Sequence, residues 1–131
     1  MRSRVCVLLN EFSELGSVAL IERYLPACAF DVSISCTFPA DPASYDLIAP
    51  FNYRKIIVGV ERLTNVLVFH AADLPDGKGW APIYHAIAQG QEQYVVCGIR
   101  AAAEVDAGDI VVRASFTILS SYTAAFLREV D

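Results

Sequence analysis

Continuous apolar runs alternate with helically spaced apolar positions along this chain, and the first such pair lies at its start. Residues 5 to 9 are all apolar and rich in β-branched side chains, which is typical of a strand covered on both faces in a parallel sheet. Ser13 is a suitable N-cap, and apolar residues then recur at helical spacing as far as Pro26, where the pattern stops. The pattern predicts a strand followed by a helix over residues 13 to 25.

The rest of the chain repeats this alternation. The further predicted strands are Phe30 to Ile34, Tyr45 to Ala49, Val66 to Phe69, Tyr94 to Ile99 and Ile110 to Leu119, and the further predicted helices are Arg54 to Leu63, Pro82 to Ala88 and Ser121 to Val130. Alternating strands and helices indicate the α/β class, with a Rossmann-like, mostly parallel sheet flanked by helices. Because 131 residues fit one core and no linker interrupts them, we expect a single domain over residues 1–131.

Composition and charge narrow the functional classes. Hydrophobic residues make up 55% of the chain, which predicts a compact fold rather than disorder. The net charge of −5 comes from 15 acidic and 10 scattered basic residues, so nucleic acid is disfavoured as a main partner. No apolar stretch approaches the roughly 20 residues of a spanning helix, and the N-terminal apolar run ends at Asn10 without a signal-peptide cleavage pattern. We therefore expect a cytoplasmic protein with no membrane association.

The cysteines do not form a metal-binding motif. Cys6, Cys28, Cys36 and Cys97 lie far apart in the sequence, without the short Cys or Cys/His spacings that bind zinc. The sequence therefore predicts no metal site, and it predicts reduced cysteines used as small hydrophobic core residues.

In a parallel α/β sheet, ligands bind beyond the carboxyl ends of the strands. Three segments are predicted to lie there: the loop after Leu9, the segment around Asn52 and the segment that begins at His70. The first has no Gly-x-Gly-x-x-Gly pattern, which disfavours a nicotinamide or flavin enzyme.

His70 and Asp106 are the candidates for acid–base chemistry. Each also has a simpler interpretation, because a histidine at a strand end is often structural or merely exposed, and Asp-Ala-Gly-Asp is ordinary turn chemistry. His85, on the next predicted helix, is interpreted as structural or exposed. Taken one at a time, these residues do not define a site.

Their combination is more specific. Between His70 and Ile110 the chain resembles the core of the formyltransferases that use 10-formyltetrahydrofolate, most strongly the methionyl-tRNA and sugar N-formyltransferase branches. The family order is a histidine after a strand, Leu-Pro, a basic residue with Gly, a Pro that opens a helix, and Asp-x-Gly before a strand. In this chain the order is His70, Leu74-Pro75, Lys78-Gly79, Pro82 and Asp106-Ala107-Gly108.

The resemblance implies a role for each matching residue. Formyl transfer passes through a tetrahedral oxyanion that needs a hydrogen-bond donor, while the attacking amine must lose a proton. His70 would donate to the oxyanion, and Asp106 would orient the imidazole and help to accept the proton. The donor-binding loop would include four residues: Lys78, Gly79, Trp80 and Pro82. Trp80 would either stack on a ligand ring or anchor this loop.

The chain also departs from the family pattern. The family places an Asn two residues before the catalytic His, and this position is Val68 here. Losing one oxyanion donor typically lowers a rate by about 10²–10³. Asn52 is a candidate replacement donor, and its simpler interpretation is a turn residue before the next predicted helix. The family's folate-contacting region is shortened here to residues 37–63.

Two further functions stay open beside transfer of a formyl group to a small amine such as an amino sugar. One is a catalytically weakened or inactive module for binding or oligomerisation, which Val68 favours. The other is a formyl hydrolase, in which water attacks in place of the amine. The high hydrophobic fraction of so short a chain also predicts a homodimer.

Overall fold

The computed structural model describes residues 1–10, 15–25, 28–51, 53–70, 72–74, 82–104 and 107–117. The chain divides into two compact units, Met1–Val68 and Phe69–Asp131. The strands are β1 Ser3–Leu8, β2 Phe30–Ser35, β3 Leu47–Pro50, β4 Leu67–His70, β5 Gln93–Arg100 and β6 Ile110–Thr117, and the helices are α1 Leu15–Tyr24 and α2 Pro82–Ala88. Short 3₁₀ turns occur at Pro42–Ser44 and Val60–Arg62.

The first unit contains a three-stranded parallel sheet with the order β2-β1-β3. Val5 in the central strand pairs with Val32 on one side and with Leu47 on the other. Strand β1 is the central strand, and its side chains from Val5 onward are buried, as the continuous apolar run predicts. The side chains of β2 are instead exposed or half-buried, which fits a strand at the sheet edge.

Helix α1 covers part of this sheet. Its Ile21 joins Val5, Val7 and Leu9 in one buried hydrophobic cluster. The helix lies within the predicted range of residues 13 to 25, and the predicted N-cap, Ser13, lies outside the described residues. The apolar stripe read from the sequence is therefore the stripe that packs against β1.

The cysteine prediction is correct for two positions and wrong for one. Cys6 and Cys97 are buried free thiols, Cys36 is half-buried and Cys28 is exposed. Burial raises the pKa of the Cys6 thiol, partly opposed by its hydrogen bond with Ser33, so this side chain is a neutral core group.

The predicted helix over residues 54–63 is wrong. Apart from the 3₁₀ turn at Val60–Arg62, this segment is irregular. Gly59 has a left-handed backbone with φ of 76°, which interrupts a right-handed helix. The N–H of Arg54 donates to Oδ1 of Asn10 at 2.7 Å, so a side chain distant in sequence satisfies it. Helical spacing of apolar residues therefore does not decide the structure of this segment.

In the second sheet the strand order is β4-β5-β6. Strands β5 and β6 are antiparallel, with Gln93 opposite Thr117 and an irregularity between Gly98 and Ile99. The predicted helix over Pro82–Ala88 is confirmed, and the predicted C-terminal helix over 121–130 lies outside the described residues. Among the helices described, none is both long and apolar enough to cross a membrane.

Candidate functional site

His70 is the last residue of β4, at the carboxyl end of that strand. Its exposed fraction is 8%, whereas that of the preceding Phe69 is 42%. This difference follows from the alternation of side chains along a strand. His70 is also the one polar or charged residue that is buried among the residues described, so its simpler interpretation as an exposed strand-end residue is wrong.

An arginine from β6 holds the segment that follows His70. Nη2 of Arg113 donates to the carbonyl oxygen of Leu74 at 2.9 Å, and Nε of Arg113 lies 3.4 Å from Oδ1 of Asp73. Leu74 itself is buried, and its N–H donates to the carbonyl of Ala72 at 3.0 Å. One guanidinium group therefore contacts two successive residues of this segment.

Sequence reasoning missed Arg113. The available signal was a single arginine within an otherwise apolar or small stretch from Ile110 to Phe116. A long cation in such a strand often has a specific partner, but only the structure identifies Asp73 and Leu74 as the partners.

The glycine of the Asp-x-Gly motif has a packing role. A Cβ atom on Gly108 would overlap the carbonyl oxygen of Arg100, and next to it the N–H of Arg100 donates to the carbonyl of Asp109 at 2.9 Å. This close backbone approach joins the end of β5 to the start of β6. It explains why glycine is needed two residues after Asp106.

The other predicted site residues stay predictions. Pro82 begins α2 as predicted, but its side chain is outside the description. The remaining ones lie outside the described residues: Asn52, Lys78, Gly79, Trp80 and Asp106. Val68, which occupies the position of the family Asn, is half-buried two residues before His70 on the same strand. Of the proposed catalytic group, the structure thus locates His70.

The described part of the chain contains no group of three or more His, Cys, Asp or Glu side chains that could hold a metal ion. The described site contains the buried imidazole of His70 and, three residues further along the chain, the ion pair of Asp73 with Arg113.

Comparison with known proteins identifies relatives over part of their length. No family model matches the chain. A methionyl-tRNA formyltransferase from Polynucleobacter asymbioticus is 34% identical over 86 residues, which cover 66% of this chain and 26% of the relative. One from Streptococcus uberis is 38% identical over 65 residues, covering 50% of this chain and 20% of the relative.

Solved structures extend the similarity to nearly the whole chain. HypX from Aquifex aeolicus, in complex with tetrahydrofolic acid, matches with a TM-score of 0.71 and 26% identity, covering 91% of this chain and 22% of HypX. The formyltransferase PseJ from Anoxybacillus kamchatkensis, in complex with a 4-formamido sugar nucleotide and tetrahydrofolate, matches with a TM-score of 0.68 and 21% identity. That match covers 97% of this chain and 68% of PseJ, and at this identity it shows the fold alone.

The fold is therefore the Rossmann-like α/β fold of these neighbours. The predicted class is confirmed, with the parallel sheet of the first unit as its described core. In sequence, the chain is similar to methionyl-tRNA formyltransferases over the matched part, which is 66% of this chain for the relative from Polynucleobacter. It spans about a quarter of the length of the methionyl-tRNA formyltransferase from Polynucleobacter.

Proposed function

We propose that this chain carries the catalytic core of an N-formyltransferase, which moves a formyl group from 10-formyltetrahydrofolate to a small amine. The observation that supports this most is the buried His70 at the carboxyl end of β4, followed by the segment that resembles the family motif. The similarity to HypX, whose structure contains tetrahydrofolic acid, supports the choice of donor. PseJ, crystallised with a formamido sugar nucleotide, makes an amino sugar the first acceptor to test.

In the proposed reaction, His70 stabilises a developing charge and Asp106 transfers a proton. The acceptor nitrogen attacks the formyl carbon, a new C–N bond forms, and the bond from that carbon to the folate nitrogen breaks. His70 donates a hydrogen bond to the oxygen that becomes negative during attack. Asp106 orients the imidazole and accepts the proton that the amine loses, which then passes to the leaving nitrogen.

The donor would be held by the loop that precedes α2. Lys78 would supply a positive charge, Gly79 and Pro82 would shape the loop, and Trp80 would stack on the donor's ring. Asn52 would provide the second oxyanion donor in place of the Asn that Val68 replaces. The burial of the His70 imidazole supports its role as the oxyanion donor, because hydrogen bonds to a developing charge are stronger where water is excluded.

The test is a formyl-transfer assay on the full chain, with binding of 5-formyltetrahydrofolate followed by calorimetry. Incubation with 10-formyltetrahydrofolate and a UDP-linked 4-amino sugar should yield the formamido sugar and tetrahydrofolate. His70→Gln should lower the rate by about 10²–10⁴ while the folate analogue still binds. His85→Gln, an exposed position on α2, is the matched control and should keep the wild-type rate. Equal rates for both variants would refute the role of His70.

An inactive binding module is the second candidate, and one observation favours it. The apolar side chain of Val68, on the strand that ends at His70, has no hydrogen-bond donor, so one oxyanion donor of the family is missing. Folate binding without turnover by the wild type would support this candidate. Formate release that is independent of any amine would instead identify a formyl hydrolase.

A cytoplasmic homodimer completes the proposal. Ile110, Val111 and Val112 on β6 are consecutive apolar residues that are 41%, 54% and 47% exposed, more than an isolated domain usually shows in one strand. Sedimentation at several concentrations should give twice the monomer mass, and a monomer at every concentration would exclude the dimer.

The net charge of −5 argues for a small-molecule acceptor rather than tRNA.

A further inference from the structure

The Arg113 contacts differ from an ordinary surface ion pair. Exposed ion pairs contribute little to the free energy of unfolding. The side chains of Arg113 and Asp73 are 48% and 63% exposed. The same guanidinium, however, also donates to the backbone carbonyl of Leu74, a residue that is 3% exposed. A planar group with two donors in fixed directions constrains a backbone in a way that a single flexible charge does not.

The position of Arg113 in the fold adds a second observation. It lies opposite Cys97, a fully buried residue of β5, in the antiparallel pair with β6. The base of its side chain is thus anchored on a strand that is paired with the core of the second unit. The groups that it contacts are the side-chain carboxylate of Asp73 and the backbone carbonyl of Leu74, three and four residues after His70.

We propose that Arg113 is a positioning residue for formyl transfer. It holds the segment after His70 against the strand that starts just after Asp106-Ala107-Gly108, and so fixes the direction of the imidazole. The role rests on the proposed function. Asp73 is the partner that keeps the guanidinium aligned, and the carbonyl of Leu74 is the atom through which Arg113 acts on the chain.

The first test uses the imidazoles and needs no turnover. The chain has two histidines, so long-range ¹H–¹⁵N spectra of histidine-labelled full-length protein contain two sets of ring signals, which His85→Gln assigns. Arg113→Gln should shift the ring signals of His70 and leave those of His85 unchanged. Arg62→Gln, which removes a cation whose side chain is 85% exposed, is the matched control and should change neither set.

The second test separates positioning from binding. In Arg113→Gln, kcat should fall by about 10- to 100-fold, as expected for a small displacement of a catalytic group, with KM for 10-formyltetrahydrofolate changed by less than roughly threefold. Arg113→Lys keeps the charge but loses the planar fork, so it should restore only part of kcat. Asp73→Asn should give a smaller loss than Arg113→Gln, and Glu92→Gln, at an exposed turn position, should give none.

The outcomes of the two proposals are distinguishable. His70 signals that are identical in wild type and Arg113→Gln would overturn the role of Arg113, whatever the activity. If Arg113→Gln does not fold, the His70 signals and kcat are measured in Arg113→Lys instead. Unchanged His70 signals together with an unchanged kcat would then overturn the positioning role of Arg113. A wild type without transferase activity would refute the proposed function, while a selective shift of the His70 signals would still support the contact's effect on the imidazole.

Discussion

At the scale of single residues, the histidine and the glycine of the family motif occupy their positions for different physical reasons. His70 is buried at the end of β4, where an imidazole can serve chemistry. Gly108 instead permits a close approach of two backbone segments, because the carbonyl of Arg100 occupies the place that a side chain would need. A motif can therefore combine a residue needed for the reaction with one needed for packing.

This packing role gives a prediction for Gly108→Ala. The added methyl group must displace the backbone of Arg100 or of Gly108, so we expect the free energy of unfolding to fall by about 1–3 kcal/mol. Urea denaturation followed by circular dichroism measures this change as a lower midpoint at constant slope. Ala107→Ser, at the exposed neighbouring position, is the control and should stay within about 0.5 kcal/mol of wild type. A midpoint for Gly108→Ala equal to that of the control would contradict the overlap.

At the scale of elements, burial distinguishes the apolar residues of the first unit's strands from those of its irregular segment. Ile48 in β3 is 0% exposed; its N–H donates to the carbonyl of Asn65 at 2.8 Å, and it forms a parallel bridge with Val66. Ile56, in the irregular segment that was predicted to be helical, is 92% exposed. The two isoleucines have the same chemistry and opposite environments.

Truncating each isoleucine should separate these environments. Ile48→Ala should lower the free energy of unfolding by about 2–5 kcal/mol, since it leaves a cavity in a packed core. Ile56→Ala should change it by less than about 0.5 kcal/mol. Both values come from urea denaturation curves compared with wild type. Equal losses for the two variants would mean that Ile48 is not in the core of the native protein.

The elements also show where sequence patterns are reliable. The run at β1 indicates a strand because five successive apolar residues are too few for a typical buried helix and suit a strand covered on both faces. The segment 54–63 was ambiguous, since its β-branched residues and Gly59 are poor helix formers while its apolar spacing favoured a helix. The contact from Asn10 to the N–H of Arg54, which joins residues far apart in sequence, could not be read from local spacing.

At the scale of the whole molecule, the expectation of a single domain over 1–131 remains a prediction, and it can be tested by cooperativity. The only tryptophan is Trp80, which belongs to the second unit by its sequence position. If the chain unfolds as one domain, tryptophan fluorescence and far-ultraviolet circular dichroism should give coincident urea transitions. Two separated transitions would show that Met1–Val68 and Phe69–Asp131 unfold independently.

The sequence by itself determined the α/β class, the central buried strand, helix α2 and the family resemblance, because these depend on local periodicity and on residue order. Only the tertiary structure decided that His70 is buried, that Gly108 lies against Arg100, and that Arg113 holds Asp73 and Leu74. Each of these facts joins residues from segments that are separate in the chain. Periodicity reports which face of an element is apolar, whereas it does not report which distant residue that face will meet.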